Sequence, residues 1–278
     1  MAADTDRLSE HAPAKVNLYL HLRGQREDGY HLLDSLAIFP AIGDVVHACR
    51  AEVLSLTITG PQAEGLSNEP DNLVLRAARG LGPASAALTL EKHLPVASGI
   101  GGGSSDAAAA LRLLSRMWER QIPDNLPLAL GADVPVCLRA PEPMRMQGIG
   151  EVLTPVPELP RCGMILVNPR VEVSTGAVFK GVADRNPPAG PPWPDVFEDF
   201  DGFVRWLKLN RNDLQPSAEA ICPPVTQVLT SLSDAPLARM SGSGATCFAL
   251  YPSVAAAEAK ATELRSAYPD WWIAATNI

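Results

Sequence analysis

The chain has 278 residues, 46% hydrophobic and 19% charged, with a formal net charge of −8. That length and apolar share fit one large domain or two ordinary ones, and no apolar run reaches the ~18 residues of a membrane-spanning helix. The acidic balance opposes a general nucleic-acid binder, which usually shows a basic patch, but it leaves room for a local loop that binds a phosphorylated small molecule.

Cys49, Cys137, Cys162, Cys222 and Cys247 are scattered, with no C-x-x-C pair. The spacing gives no support to zinc, and with no signal peptide apparent it predicts free thiols in a reducing cytoplasm. The stretch from Met1 to Glu10 is polar. Val16, Leu18, Leu20 and Leu22 then alternate with Lys15, Asn17, Tyr19 and His21, the period of a half-buried strand. Lys15 and Asn17 share the face opposite the leucines. A charged turn at 24–29 leads into a second strand from Tyr30 and His31 to Ile38. Gly43–Asp44 opens a strand region over 45–59, and a loop is expected over 61–70. Asp71 or Asn72 suits the cap of a helix carrying Leu73, Ala77 and Leu81. Residues 86–92 alternate again.

The next stretch runs from Pro95 to Asp106 and is followed by four alanines. Gly99, Gly101, Gly102 and Gly103 carry no Cβ, so backbone N–H groups there can converge on one point. Ser104 or Ser105 suits an N-cap, and the alanines favour a helix. A glycine turn that ends on a helix N-terminus is an anion site, most often for phosphate. It is neither a Walker loop, since no Lys follows, nor a dinucleotide loop, since Ser104 takes the third glycine position. Ala107, Leu111, Leu114 and Trp118 form one stripe, so this helix packs on a sheet and holds its N-terminus rigid.

Residues 127–130 read as a helical turn, and 131–138 as a lead into a strand. Asp133, between Gly131 and Pro135 among apolar neighbours, reads as turn punctuation or as a desolvated base. A hairpin turn is expected at 147–151, and Pro155, Pro157 and Pro160 mark a linker. Beyond it come a strand at 164–167 and a helix capped by Ser174 or Thr175 and carrying Phe179. An irregular loop with five prolines follows at 186–194. Helices are expected at 202–208, 225–232 and 254–268, and strands at 237–240, 246–251 and 271–275. The turn Ser241–Ala245 reads as a hairpin or as a second turn facing an anion.

Ala14-Lys15-Val16-Asn17-Leu18, Gly29-Tyr30-His31, the 95–108 stretch, Gly131-Ala132-Asp133-Val134-Pro135 and Ser241-Gly242-Ser243-Gly244-Ala245 occur in that order. Together they make the chain resemble the GHMP kinase superfamily from about Ala12 onward. The resemblance implies an α+β, two-domain fold of layered α/β sandwiches with a cleft between an N-terminal domain (1–155) and a C-terminal one (156–278). It also implies ATP-dependent phosphorylation of an alcohol, with ATP and Mg2+ as cofactors. Asn72, Lys92, Pro95, Gly99, Gly101, Gly102, Gly103, Ser104, Ser105 and Gly242 would bind ATP. Lys15 and Asp133 would be catalytic. Asn17, Tyr30, His31, Thr175 and Phe179 would line the acceptor site, with Tyr30 and Phe179 sandwiching a cytosine and His31 hydrogen-bonding it. Ser105 is a candidate magnesium ligand, no carboxylate ligand is assigned, and Asp106 serves the helix dipole. Ala97 and Ser98 stand where relatives often carry glycine.

The alternatives are a mevalonate-like or amino-alcohol acceptor, a nucleotide-binding protein without turnover, and an RNA-binding protein. Tyr30, His31 and Phe179 oppose the first, Lys15 and Asp133 the second, and the net charge the third. The expected partner is a cytidine-diphosphate-linked alcohol, with no nucleic acid and no membrane, and the chain is expected as a monomer or weak homodimer.

Overall fold

Five strands form in the first sixty residues of the computed structural model, which describes residues 7–66, 71–82 and 85–278, and the alternation over 16–22 lies in the second of them. They are β1 (Leu8–Pro13), β2 (Val16–Gln25), β3 (His31–Ile38), β4 (Gly43–Arg50) and β5 (Ser55–Thr59). Then come α1 (Leu73–Gly80), β6 (Ala86–Glu91), α2 (Gly102–Trp118), α3 (Leu126–Leu130), α4 (Val134–Cys137), β7 (Met144–Gly148), β8 (Val152–Pro155) and β9 (Gly163–Asn168). The rest comprises α5 (Thr175–Lys180), α6 (Phe200–Lys208), α7 (Gln215–Ile221), α8 (Pro223–Ser231), β10 (Leu237–Met240), β11 (Cys247–Tyr251), α9 (Val254–Ala267) and β12 (Trp272–Asn277). Residues 1–6 of the polar start and 67–70 of the expected loop lie outside the described residues.

By contacts the chain forms two compact units, and each gathers separate stretches of sequence. The first holds the described residues up to Ala14, Gly43–Val96 and Gly101–Ala140. Its sheet runs β1-β4-β6-β5, antiparallel except for the parallel pair β5 and β6. Helix α2 packs on β1, β4 and α1. Ala107 to Leu111 are fully buried there, because small side chains let the helix backbone approach closely.

Four expectations change in this unit. The polar stretch before Ala14 contributes an edge strand, β1, whose pairing with β4 supplies order that its side chains do not announce. The strand region over 45–59 is two strands separated by a turn. Residues 134–137 are helical, since a short apolar run does not tell strand from helix, and Pro135 suits the first turn of a helix. Helix α2 begins at Gly102, so Ser104 and Ser105 lie inside it and Gly101 is its cap.

The second unit holds Lys15–Ile42, Ala97–Ile100 and Pro141–Ile278. It contains two sheets among the described residues, β2-β3-β7-β8 and β10-β11-β9-β12. Strand β2 is buried from Val16 to Leu22 on both faces, so its Lys15–Asn17 face is not solvated. Leu20, Leu22, Ile165, Val167, Val225, Val228, Cys247 and Leu264 belong to one core cluster that joins β2 to β9, β11, α8 and α9. Helix α7 was not expected, because its short QPSAEAI sequence carries little apolar periodicity.

Candidate active site

In the first unit, the site begins at the N-terminus of α2. Gly101 has φ +66°, a left-handed conformation open to glycine, and no side chain caps the helix. Ser105 N–H donates to the Gly101 carbonyl at 2.8 Å. The N–H groups of Gly102, Gly103 and Ser104 precede that first intrahelical donor and have no acceptor within the helix, so they present donors and the positive end of the helix dipole to an anion. The Ser105 hydroxyl donates to the Pro13 carbonyl at 2.6 Å and ties the helix to the end of β1.

Two neighbours frame this turn. A Cβ on Gly103 would sit 3.6 Å from the Leu73 side chain, so α1, capped by Asn72 Oδ1 on Val74 N–H at 2.9 Å, borders the helix end. A Cβ on Gly131 would sit 3.8 Å from Ser104 Oγ, which places the Gly131–Asp133 turn beside the same first turn. Asp133 is half-buried at the start of α4, and its side chain does not cap that helix.

Lys92 occupies an unexpected position. It is only 4% exposed. Its ammonium donates to Asp44 Oδ2 and, at 2.9 Å, to Asp106 Oδ2, and it lies 3.5 Å from where a Gly102 Cβ would stand. Asp44 Oδ1 accepts the N–H groups of His93 (2.6 Å) and Leu94 (2.8 Å). Burial opposes the Lys92 charge, and the two carboxylates more than offset it, so its pKa lies above the ordinary value. Burial, with the nearby Asp44 charge, pushes Asp106 up to about 8 against the pull of Lys92. Asp44 and Asp106 stand in no motif read from the sequence as a charged partner. A buried Gly-Asp turn opposite a strand-end lysine was the only available signal.

In the second unit, Lys15 and Asn17 meet. Lys15 Nζ donates to Asn17 Oδ1 at 2.9 Å, and the Lys15 N–H donates to the Ile100 carbonyl at 2.8 Å. The Asn17 N–H donates to Ser241 Oγ (3.1 Å), which in turn donates to the Gly99 carbonyl (3.3 Å). Thr246 N–H donates to the Ser98 carbonyl at 3.1 Å. The start of the glycine run and the Ser241–Gly244 turn are therefore laced together. The close approach needs glycine: a Cβ on Gly99 would run into the Gly244 carbonyl, and one on Gly242 (φ +55°) would lie 2.9 Å from Gly99 O and 3.4 Å from Asn17 Oδ1. Ala97 takes a positive φ of 49°, a left-handed conformation that glycine adopts more readily than alanine. Pro95, in the first unit, is buried just before this run.

The expected acceptor residues also lie in this unit. His31 stacks on Phe179 with ring centroids 5.0 Å apart and a 29° interplanar angle. Burial, then the Arg185 charge, lowers the His31 pKa, so its imidazole is neutral near pH 7. Its Nδ1 is buried with no hydrogen-bond partner among the described residues. Tyr30 is 59% exposed. Ser174, rather than Thr175, caps α5, and Thr175 Oγ1 instead pairs with Ser243 Oγ at 2.9 Å. No group of three His, Cys, Asp or Glu side chains among the described residues is placed to hold a metal ion.

Known proteins resemble this chain along nearly its whole length. The family model "GHMP kinases N terminal domain" matches residues 72–139, and "GHMP kinases C terminal" matches 196–270. A 4-diphosphocytidyl-2-C-methyl-D-erythritol kinase of Cereibacter sphaeroides is 54% identical over 276 residues, covering 96% of this chain and 98% of that protein. One of Ruegeria pomeroyi is 55% identical over 271 residues, covering 95% and 96%. A crystal structure of 4-(cytidine 5'-diphospho)-2C-methyl-D-erythritol kinase superposes with a TM-score of 0.75 at 30% identity, covering 97% of this chain and 99% of that one. With half of its residues shared along nearly its whole length, the chain belongs to the 4-diphosphocytidyl-2-C-methyl-D-erythritol kinase family of small-molecule GHMP kinases.

Proposed function

We propose that the protein transfers the γ-phosphoryl group of ATP to the 2-hydroxyl of 4-diphosphocytidyl-2-C-methyl-D-erythritol, a step of the non-mevalonate route to isoprenoid precursors. The observation that carries the reading is the buried Lys15–Asn17 pair held against the glycine run, in a chain that matches named kinases of this substrate end to end. Phosphoryl transfer asks a protein for positioning and charge neutralisation rather than covalent help. The N–H groups at the start of α2 hold phosphate oxygens. Asp133 accepts the alcohol proton as the new P–O bond forms, and the Lys15 ammonium offsets charge on the moving group. Magnesium bound with the triphosphate would neutralise its charge. Mg2+ at nucleotide sites keeps water and phosphate ligands and asks for only one or two from protein, so a site without a cluster of three protein ligands among the described residues is compatible with it. The five free cysteines suit a reducing cytoplasm.

The cytosine edge is assigned to the neutral His31 ring, whose Nδ1 is buried and unpartnered among the described residues and has to turn outward to bond it, and Phe179 supplies a face for stacking. Stacking is worth about 1–3 kcal/mol per base. Phe179→Ala is therefore expected to raise the KM for the cytidyl substrate about tenfold or more, with the KM for ATP little changed. Steady-state kinetics with each substrate varied in turn checks this, and an unchanged cytidyl KM removes Phe179 from the site.

The function itself is tested by incubating the protein with Mg·ATP and, separately, the cytidyl substrate, mevalonate and homoserine. ADP release and phosphorus NMR of the products are followed. A new phosphomonoester on the cytidyl substrate alone is expected. Phosphorylation of another alcohol, or of none, overturns the reading.

A further inference from the structure

We propose that Ser35, which lies in no motif read from the sequence, is a positioning residue for the transfer step and acts through Asn17; the proposal rests on the kinase reading above. Ser35 sits on β3 and is fully buried. Its hydroxyl has a single proton, donated to the Tyr19 carbonyl at 2.5 Å. The register of β2 on β3 slips between Asn17 and Tyr19, and the hydroxyl takes up the Tyr19 carbonyl at that irregularity. Toward Asn17, Ser35 thus offers only lone pairs, and Asn17 Nδ2 donates to them at 2.7 Å. The carboxamide is thereby turned so that Oδ1 faces Lys15, whose ammonium has only protons to offer, at 2.9 Å. Donation runs one way, from Lys15 to Asn17 to Ser35 to the Tyr19 carbonyl, and every member has the partner its chemistry requires.

Asn17 is fixed by two separate attachments. Its backbone N–H is tied to Ser241, and its side chain to Lys15 and Ser35. Replacing Ser35 by alanine leaves the first intact and removes half of the second. The strand keeps its place while the carboxamide, held at one end only, no longer fixes the Lys15 ammonium.

The test compares Ser35→Ala, Ser35→Thr, Asn17→Ala and the Ser35→Ala/Asn17→Ala double variant with the wild type. Ser35→Ala is expected to lower kcat about 10- to 100-fold, the scale of a small misplacement at a reacting centre. Both KM values should stay within about twofold. Ser35→Thr, which restores the hydroxyl, should recover most of kcat. If Ser35 acts through Asn17, the double variant is no slower than Asn17→Ala alone. A Ser35→Ala kcat within about twofold of wild type, or losses that multiply in the double variant, overturns the proposal. A readout free of turnover is the Asn17 side-chain amide in NMR spectra of the wild type, assigned from its loss in Asn17→Ala. Slow solvent exchange of one Nδ2 proton is expected, and exchange as fast as that of exposed carboxamides overturns the proposal even where Ser35→Ala does not fold. A wild type that leaves the cytidyl substrate unphosphorylated defeats the kinase reading and with it the role in transfer, while this amide signal still decides separately whether Ser35 holds the Asn17 carboxamide.

Discussion

Asp133→Ala is expected to lower kcat by about 10²–10⁴-fold, the usual worth of a positioned general base, while the KM for ATP stays close to wild type. The separation follows from where the residue stands. ATP phosphates are assigned to backbone N–H groups of α2, which a change at Asp133 does not remove. The Gly131–Asp133 turn borders that helix end, with a Gly131 Cβ position 3.8 Å from Ser104 Oγ and Asp133 two residues further along the turn. The side chain does not cap α4, and Pro135 in the first turn presets that helix whatever occupies position 133. Asp133→Ala should therefore keep α4, and a far-ultraviolet circular dichroism spectrum like that of the wild type checks this. Asp133→Asn, which keeps the shape and loses the base, should be nearly as slow. Turnover at the wild-type rate in either variant, with ADP release followed at saturating ATP, removes Asp133 from the reaction.

The residues that announced themselves in the sequence did so through backbone demands or periodicity. The glycine run had to be a turn, because a Cβ at Gly99 has nowhere to go beside the Gly244 carbonyl. The alternation from Lys15 to Leu22 had to be a strand, and the alanines after Asp106 a packed helix. What stayed hidden were single polar residues whose meaning is a partner far along the chain. Asp44 is one residue of an ordinary Gly-Asp turn until Lys92, 48 positions later, is brought to it. Ser35 and Ser241 read as small residues in a strand and a turn, yet each passes a hydrogen bond through Asn17. Local pattern sets which face a residue takes. Which buried donor meets which acceptor depends on the pairing of strands, such as β3 with β2, and that pairing leaves little trace in composition. The helical turn at 134–137 was misread for a related reason: four apolar residues have too short a run to show a period.

Lys92→Met is expected to cost about 3–5 kcal/mol of stability, because it strips the cation from a buried pair of carboxylates. Lys92 joins the end of β6, the start of β4 and the first turns of α2 through Asp44 and Asp106, so the loss should also loosen the helix end proposed to hold phosphate. The sign of the pH dependence follows from Asp106. Its pKa rises on folding from 3.8 to about 8, so its contribution is fully present below 3.8 and is lost as pH rises through about 8. Without Lys92 the charged carboxylates are costlier still, and the deficit of Lys92→Met should be larger near pH 8 than near about pH 5. Asp106→Asn is the converse case. An asparagine can still accept the Lys92 proton through its carbonyl oxygen, carries no charge, and leaves the Lys92–Asp44 pair in place. Its melting temperature should exceed that of the wild type by a margin that widens between about pH 5 and pH 8. Calorimetric melting at the two pH values measures both effects. A Lys92→Met variant that melts like the wild type while its KM for ATP rises steeply would instead make Lys92 a nucleotide ligand, since a buried structural cation cannot be removed without loss of stability.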